Sequence, residues 1–459
     1  MELLAYGSQP LVEVSLVRCS LRFALCVCAL VVPGGAFAQA PVDSALAHYI
    51  DAIRAIDHHA HPMRPVPAGA PADTDFDALP LDGIPAFDLP NRLKPDDPIW
   101  RAAQSALYEV NPSLTGEAYH ALLKTRVTDA MRTQGQHFPE WALDQAGIDV
   151  QMANRISVGP GLAPPRFRWI AFVDPLLLPL DSRAEAARTP DTRPLYPREA
   201  KLLRRYMTEL GVQSLPATLD AYLRTVVNPT MAHMRAGGAA GIKFEAAYLR
   251  PLDFDDPDPA VAARVYAKYV HGGVPSHAEY KVLEDDLFRE IAREAGRLKL
   301  PIQIHALETF GGFYATGGSA PHLLEPAFND STLRGTRFIL VHGGWPLVGE
   351  TQALLSKPNV WADISMMDQI LSPTVLAGVL RQWLGEWPEK VLFGTDAFDG
   401  GLEQGWEQGT WVGSTTARRA LAIALTGMMR DGEITRDRAE ALARMVMREN
   451  AAAVYELSK

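Results

Sequence analysis

The amino-acid sequence predicts an α/β fold, a (β/α)8 TIM barrel with helical insertions after strands 1 and 4. Short apolar, β-rich segments alternate with amphipathic segments of helical period, which indicates parallel strands joined by helices. Four of these strands end on a histidine or an aspartate, in "IDHHAH", "IQIHALE", "ILVHGG" and "VLFGTDAF". A barrel brings such strand ends together at one mouth, whereas an open doubly wound sheet, the alternative fold, separates them along an edge.

The amino-terminal segment has the features of a secretory signal peptide. Basic residues precede an apolar core, and Ala36 and Ala38 follow it in the A-x-A pattern of a cleavage site. We therefore predict a signal peptide over residues 1–38 and a barrel domain over residues 39–459, with a periplasmic or secreted location. The apolar core is too short to span a bilayer, so we expect no membrane association after cleavage.

Composition limits the partners and ligands of the mature chain. The formal net charge is −10, and a chain without a basic excess is a poor candidate for binding nucleic acid. All three cysteines, Cys19, Cys26 and Cys28, lie in the signal segment, which excludes a disulfide and a cysteine-ligated metal from the mature protein. We expect a small-molecule substrate as the partner, and a homo-oligomer stays open.

The eight candidate strands follow one another with helical segments between them. They are "IRAIDHHAH", "GIDVQMANRIS", "FRWIAFVDPLL", "AGIKFEAAYL", "LPIQIHAL", "RFILVHGG", "NVWADISM" and "KVLFGTDAF". The helix before the fifth is the clearest, because Leu283, Leu287 and Ile291 recur at helical steps and the acidic run 284–286 would occupy its first turn. Residues 63–145 and 251–282 exceed what a barrel connection needs, and we expect both to lie over the catalytic face.

The stretch "IRAIDHHAHP" places an acid and three histidines in five positions. Side chains alternate along a strand, so Asp57, His59 and His61 would share one face while His58 points to the other. Two imidazoles would then converge on one point, as metal ligands do. A polar strand end exposed to water is the alternative for this pair alone.

Residues on other strands support the metal interpretation. In a barrel, His305 on strand 5, His342 on strand 6 and Asp396 on strand 8 would point into the same mouth as His59 and His61. Imidazole and carboxylate ligands without a thiolate suit zinc, and also manganese, iron or nickel. The sequence therefore predicts a divalent metal, with zinc as the first choice.

The motifs resemble the amidohydrolase superfamily, specifically its amidohydrolase 2 family, with the character of a FluG-type N-terminal domain. The resemblance is carried by "DHHAH", "GIKFEAAYLR", "LFREIAREAGRLKLPIQIHALE", "FILVHGGWP", "NVWADIS", "VLFGTDAF" and "RENAAAVYEL". It implies that His59, His61 and His305 bind metal and that Asp396 binds metal and handles a proton. It also implies that His342 is a second-metal ligand or a polarising catalytic histidine.

Lys243 determines whether the resemblance implies one ion or two per chain. Lys243 and Glu245 share a face at the end of strand 4, so either could enter the mouth. Binuclear members of the superfamily carry a carboxylated lysine at this strand that bridges two metals. The alternative is a single ion, with Lys243 cationic and in contact with an acidic group of the substrate.

The chemistry expected at such a site is hydrolysis. A divalent ion lowers the pKa of bound water to about 7, Asp396 can accept its proton, and His342 can help to polarise a carbonyl. Candidate substrate contacts just beyond the strand ends are Tyr248, Arg250 and Trp345. We expect an exported metal-dependent hydrolase of amide or related C–N bonds. The alternatives are a metal-dependent decarboxylase on the same barrel and a non-catalytic periplasmic binding protein.

Overall fold

Parallel strands form a sheet in the computed structural model, which describes residues 41–66, 69–80, 88–307 and 315–457. The predicted signal peptide lies outside these residues, so its cleavage stays a prediction. Within the described residues the sheet has eight strands, and each strand is hydrogen-bonded to the next one in the sequence. The strands are β1 (Ala55–Ala60), β2 (Ile148–Arg155), β3 (Phe167–Phe172), β4 (Ala239–Phe244), β5 (Ile302–His305), β6 (Phe338–Val341), β7 (Val360–Asp363) and β8 (Val391–Leu392).

Backbone hydrogen bonds also join β1 to the segment that begins directly after β8. The amide of His58 donates to the carbonyl of Phe393 at 3.1 Å, and the amide of His61 donates to the carbonyl of Ala397 at 2.7 Å. These bonds close the sheet into a barrel, so the predicted (β/α)8 architecture is confirmed. Because the paired strands are all parallel, their carboxyl ends meet at one mouth.

Helices surround the barrel and occupy its long connections. They are α1 (Ser44–Asp51), α2 (Pro98–Tyr108), α3 (Gly116–Gln134), α4 (Phe138–Gln145), α5 (Arg183–Arg188), α6 (Tyr196–Glu209), α7 (Leu219–Tyr222), α8 (Asn228–Ala236), α9 (Pro259–Tyr269), α10 (His277–Leu298), α11 (Glu325–Asn329), α12 (Val348–Leu354), α13 (Met367–Ile370), α14 (Pro373–Glu386), α15 (Trp406–Arg430), α16 (Arg436–Arg444) and α17 (Asn450–Val454). In the described part of the chain, none of these helices combines the length and apolarity that a membrane span requires.

Both helical insertions predicted from the sequence are present. The connection after β1 contains α2, α3 and α4, and the connection after β4 contains α9 ahead of α10. A third long connection, after β3, contains α5 to α8 and is absent from the sequence-based prediction. Two of its helices, α5 and α7, have 6 and 4 residues, which is too short for a recognisable apolar period.

Helix α10 begins earlier than its apolar period predicts. Ser276 and Glu279 form a capping box, in which each side chain accepts a hydrogen bond from the other residue's backbone amide. The acidic run 284–286 therefore lies beyond the first turn, where it is buried. Arg250 lies 2.9 Å and 2.8 Å from two of these carboxylates. The prediction that the run occupies the first turn is wrong, because a polar first turn leaves no mark in the apolar period.

An apolar layer fills the lower half of the barrel. This layer, the floor cluster, consists of Ile56, Met152, Ile170, Ile339, Leu392, Ala451, Val454 and Tyr455. Its last three members come from α17 and the residue after it, and Arg337, which precedes β6, donates to the carbonyl of Val454 at 2.7 Å. The carboxyl-terminal segment thus closes the barrel at the amino ends of the strands. Packing of this half leaves the opposite mouth as the place for a ligand.

Strand β1 carries a β-bulge that changes the direction of its side chains. Asp57 pairs with Gln151 and Ala60 with Ala153, so β1 has one more residue than β2 over this interval. The extra residue leaves His58 inside the barrel, where its Nε2 lies 2.5 Å from a carboxylate oxygen of β7. The prediction that His58 faces away is therefore wrong, because a bulge interrupts the alternation of a regular strand.

Asp57 also departs from its predicted position. Its carboxylate accepts hydrogen bonds from the hydroxyl of Thr395 at 2.7 Å and from the side-chain amide of Gln151 at 2.9 Å. The latter amide also faces Thr410 of α15, which places Asp57 toward the helical layer. Asp57 does not share the face of the mouth histidines and takes no part in the candidate site.

Candidate metal centre

Asp396 lies among the histidines that the sequence predicts as ligands. Its Oδ1 is 3.0 Å from Nε2 of His59 and 3.5 Å from Nε2 of His61, and its Oδ2 is 3.7 Å from Nδ1 of His342. One ligand atom each from His59, His342 and Asp396 lie within 4.8 Å of one another. The carboxyl ends of β1, β6 and β8 therefore meet as predicted.

His305, at the end of β5, belongs to the same group. Its Nδ1 lies 3.1 Å from Nε2 of His342, and its ring centroid is 4.5 Å from that of Tyr248. His305 is 2% exposed, and its Nε2 has no hydrogen-bond partner among the described residues. Burial of an imidazole nitrogen without a partner costs free energy, and a cation bound to that nitrogen would remove this cost.

Two residues of the site have left-handed backbone conformations. His342 has φ of 66° and Asp396 has φ of 52°, values that non-glycine residues rarely adopt. Gly343 follows with φ of 56°, and a side chain there would collide with the ring of Trp383. The backbone after β6 and β8 is therefore turned sharply, which brings both side chains into the mouth at a cost in local strain.

The hydrogen bonds of His59 fix its tautomer. The side-chain amide of Gln303 donates to the carbonyl of His58 at 2.7 Å, so Oε1 of Gln303 is the atom 2.8 Å from Nδ1 of His59. His59 therefore carries its proton on Nδ1. The amide nitrogen of Asn154 also lies 2.8 Å from this Nδ1, but Oδ1 of Asn154 lacks a partner, and rotation of that amide resolves the conflict.

Nε2 of His59 is therefore unprotonated, and its lone pair faces the carboxylate of Asp396. Two lone-pair donors 3.0 Å apart repel each other unless a proton or a cation lies between them. Burial and the nearby charge of Lys243, whose Nζ is 3.3 Å away, together lower the pKa of His59 to about 4. A proton is therefore poorly held at neutral pH, and the pair fits a metal ion.

Burial also sets the charge of the other predicted ligands. It holds the pKa of His305 and of His342 well below the ordinary value, so both imidazoles are neutral and able to bind metal. Burial opposes ionisation of Asp396, yet the surrounding imidazoles of His342, His59 and His61 keep the pKa of Asp396 well below its usual range. The donor set is three or more neutral imidazoles with one carboxylate, which suits a divalent ion.

His61 has a carboxylate partner that the sequence does not reveal. Its Nδ1 lies 3.2 Å from Asp77 in the long connection after β1, without hydrogen-bond geometry. Burial opposes protonation, but Asp77 and Asp396 raise the pKa of His61 to about 10 in the metal-free chain. Asp77 is one of several aspartates in a polar loop, so nothing in the pattern distinguishes it.

Further carboxyl groups lie behind this pair. Glu245, whose position on the mouth face agrees with the sequence, is 4% exposed and interacts with Asp77 and with buried Asp174 and Glu199. Burial raises the pKa of Asp174 to about 7 and that of Glu199 well above its ordinary value. Burial therefore favours the protonated, neutral form of Glu199 and Glu245 behind this wall of the mouth.

A cavity of about 350 Å³ opens onto the site. Its described lining consists of His59, His61, Phe76, Asp77, Leu79, Pro80, Lys243, Glu245, Tyr248, His305, His342, Met366, Asp396, Phe398, Asp399 and Gly400. Of the predicted substrate contacts, Tyr248 lies in this lining. Arg250 instead pairs with the carboxylates of α10, and Trp345 packs against the apolar core, so the structure does not bring these two to the described lining.

Solved structures with the same architecture were found by comparison of folds. They include a protein from Lactobacillus casei ATCC 334 classed as a metal-dependent hydrolase, with 17% identity, a TM-score of 0.56 and coverage of 91% of this chain and 98% of that chain. Glucuronate isomerase from Caulobacter crescentus has 14% identity, a TM-score of 0.61 and coverage of 90% and 94%. Uronate isomerase from Thermotoga maritima has 12% identity, a TM-score of 0.54 and coverage of 90% and 96%. At these identities the likeness shows the fold alone.

Sequence comparison identifies the family. A search of curated proteins returns no match. A family model described as amidohydrolase matches residues 226–457, just over half of the chain. The matched region contains β4 to β8 and hence Lys243, His305, His342 and Asp396, whereas β1 with its histidines precedes it. With the barrel and its strand-end residues in place, this match shows that the chain belongs to the amidohydrolase family.

Proposed function

We propose that the protein is an exported metal-dependent hydrolase that cleaves amide or related C–N bonds in a small molecule. The proposal rests mainly on the facing lone pairs of His59 and Asp396, which line a cavity of suitable size for such a substrate. Family membership supports a metal-dependent enzyme. The expected export signal supports a periplasmic or secreted location.

We assign the metal, with zinc as the first choice, to His59, His61, His305 and Asp396. A divalent ion bound there would act as a Lewis acid toward a carbonyl group and would lower the pKa of a water molecule. If two ions bind, Lys243 in carboxylated form and His342 are the further ligands. If one ion binds, Lys243 stays cationic and contacts the substrate.

Side chains of the cavity have separate tasks in this proposal. Asp396 is the general base and acid, because its carboxylate stays ionised at neutral pH and lines the cavity. Tyr248 holds the substrate beside His305. The apolar side chains of Phe76 and Phe398 contact its non-reacting part and limit the entry of water.

A metal analysis followed by a substrate screen tests the proposal. The purified protein should contain zinc or another divalent ion, and it should hydrolyse members of a panel of N-acyl amino acids, dipeptides, lactones and aromatic acids. Asp396→Asn is the control, and it should lower kcat by at least about 100-fold, the usual contribution of a positioned acid or base. Release of carbon dioxide would identify a decarboxylase instead. Tight binding without turnover in metal-loaded protein would identify a binding protein.

A further inference from the structure

Tyr455, directly after α17, places its side chain inside the barrel. Its ring belongs to the floor cluster and it is 6% exposed. Its hydroxyl does not reach solvent but hydrogen-bonds with His58 and Gln303 inside the barrel. The floor of the barrel is thereby connected to polar groups directly beneath the metal centre.

The first connection runs through Gln303 to His59. The side-chain amide of Gln303 donates to the hydroxyl of Tyr455 at 2.8 Å. Together with the donation to the carbonyl of His58 at 2.7 Å, this contact holds the amide so that Oε1 of Gln303 accepts the Nδ1 proton of His59 at 2.8 Å. Nε2 of His59 is left with its lone pair toward Asp396.

The second connection runs through His58 and Asp363 to His342. Nδ1 of His58 lies 3.1 Å from the hydroxyl of Tyr455, and its Nε2 lies 2.5 Å from Oδ2 of Asp363. Asp363 also accepts from the hydroxyl of Ser365 at 2.8 Å and from the backbone amide of His342 at 2.6 Å. The hydroxyl oxygen of Ser365 is 3.0 Å from Nδ1 of His342.

One set of proton positions satisfies both connections. The buried hydroxyl proton of Tyr455 needs an acceptor, and Nδ1 of His58 is the one available among its described contacts. His58 then carries its proton on Nε2, toward the carboxylate of Asp363. Ser365 donates to Asp363 and accepts from Nδ1 of His342, which leaves Nε2 of His342 as a lone pair.

We propose that Tyr455 is a positioning residue of the metal centre, whose hydroxyl orients the rings and tautomers of His59 and His342 through Gln303 and through the His58–Asp363–Ser365 chain. The carboxyl-terminal segment is then part of the site and not only the closure of the barrel. This inference rests on the metal binding of the proposed function, but not on the reaction. Groups that orient metal-binding histidines typically change metal affinity by 10- to 100-fold when removed.

Metal affinity measured by competition with a chromophoric chelator tests this role. Tyr455→Phe keeps the ring in the floor cluster and removes only the hydroxyl, so the Kd for Zn²⁺ should rise by about 10-fold or more. Gln303→Met should raise it similarly. If Tyr455 acts through Gln303 and His58, the double variant should weaken binding by less than the product of the two single effects.

A matched variant separates positioning from packing. Val454→Ala removes apolar volume from the same cluster without touching either connection, so it should lower the thermal midpoint and leave the Kd for Zn²⁺ unchanged. The visible spectrum of the Co²⁺-loaded protein, which reports ligand geometry, should change in Tyr455→Phe and not in Val454→Ala. Unchanged affinity and an unchanged spectrum in folded Tyr455→Phe would overturn the role of the hydroxyl. Wild-type protein that binds no metal would instead refute the metal centre and, with it, the proposed function.

Discussion

The electrostatic environment of a single side chain in the site depends on its neighbours, as Lys243 and the two mouth histidines of β1 show. Lys243 is 1% exposed and its Nζ lies 3.3 Å from Nε2 of His59, so its charge acts directly on a predicted ligand. His59 and His61 depend in turn on Asp396, which lies within 3.5 Å of both. Substitution of these residues therefore tests metal binding, because it should have little effect on the packed half of the barrel.

Replacing His59 and His61 together by alanine should remove bound metal and activity while the barrel stays folded. Both side chains lie at the mouth, above the floor cluster that carries the apolar packing. Metal analysis and circular dichroism of the purified variant measure the two effects. His48 and His271 are exposed histidines outside the site, so their double alanine variant should keep its metal. Full metal content in the His59/His61 variant would show that the site is assigned wrongly.

Lys243→Ala should lower the metal content from about two ions per chain toward one or none, if a carboxylated lysine bridges the ions. The reason is the loss of an anionic ligand shared by both metals. Metal analysis measures the change, acetate or formate should partly restore activity, and reconstitution of the parent protein should depend on bicarbonate. One tightly bound ion, unchanged in the variant, would favour the cationic lysine as a contact for acidic substrates.

Helix α10 illustrates how an element can depend on a distant residue. Its buried carboxylates Glu284 and Asp285 pair with Arg250 from the connection after β4, and Arg250 also lies over the ring of Phe254 at 4.2 Å. Removal of the guanidinium would leave buried carboxylates without a partner, a change that typically costs about 3 to 5 kcal/mol. Arg250 therefore stabilises the packing of the connection after β4 against α10.

The pH dependence of stability should change when Glu284 is replaced by glutamine. Burial raises the pKa of Glu284 to about 7 from an ordinary value of 4.5, although Arg250 opposes the shift. The folded chain then binds this proton more tightly than the unfolded chain, so stability present below pH 4.5 is lost as the pH rises to about 7.

Relative to Glu284→Gln, the wild type should therefore lose about 3 kcal/mol of unfolding free energy between about pH 4 and about pH 8. Urea denaturation at several pH values measures this difference. Glu117→Gln, at an exposed position of α3, is the control and should run parallel to the wild type. A constant difference between wild type and Glu284→Gln would contradict the shift.

At the scale of the whole molecule, the apolar packing and the candidate site lie at opposite ends of the barrel. The floor cluster and the carboxyl-terminal segment fill one end, while the connections after β1 and β4 contribute Asp77 and Glu245 to the cavity at the other. Changes to these connections can therefore alter the site without altering the strands that carry the predicted metal ligands.

The exported protein should begin at Gln39. The Ala36–Ala38 signature follows an apolar core and is the predicted cleavage site. Expression of the full chain in a host with a general secretory pathway, followed by amino-terminal sequencing of the exported protein, measures the start. Ala38→Pro is a matched control that should block processing. An exported protein that retains residues 1–38 would be evidence against cleavage at this site.

The local sequence pattern was sufficient to predict the strands and the polar residues at their ends. An apolar run followed by a polar residue marks a buried strand that opens onto a mouth, and this placed His59, His61, His305, His342 and Asp396 correctly. The signal depends only on neighbouring residues, so it can be recognised in one sequence. The polar Gln303 within an apolar strand was a further local signal that passed unrecognised.

Tertiary structure alone decided how these residues are supported. The bulge of β1 depends on its register with β2, the tautomer of His59 depends on Gln303 and Tyr455, and the partner of His61 comes from a loop. The sequence determined which strands end on polar side chains at the mouth, because an apolar run followed by a polar residue is a local property. Their charges, partners and orientation arise from contacts between residues far apart in the chain, for which a single sequence contains no local signal.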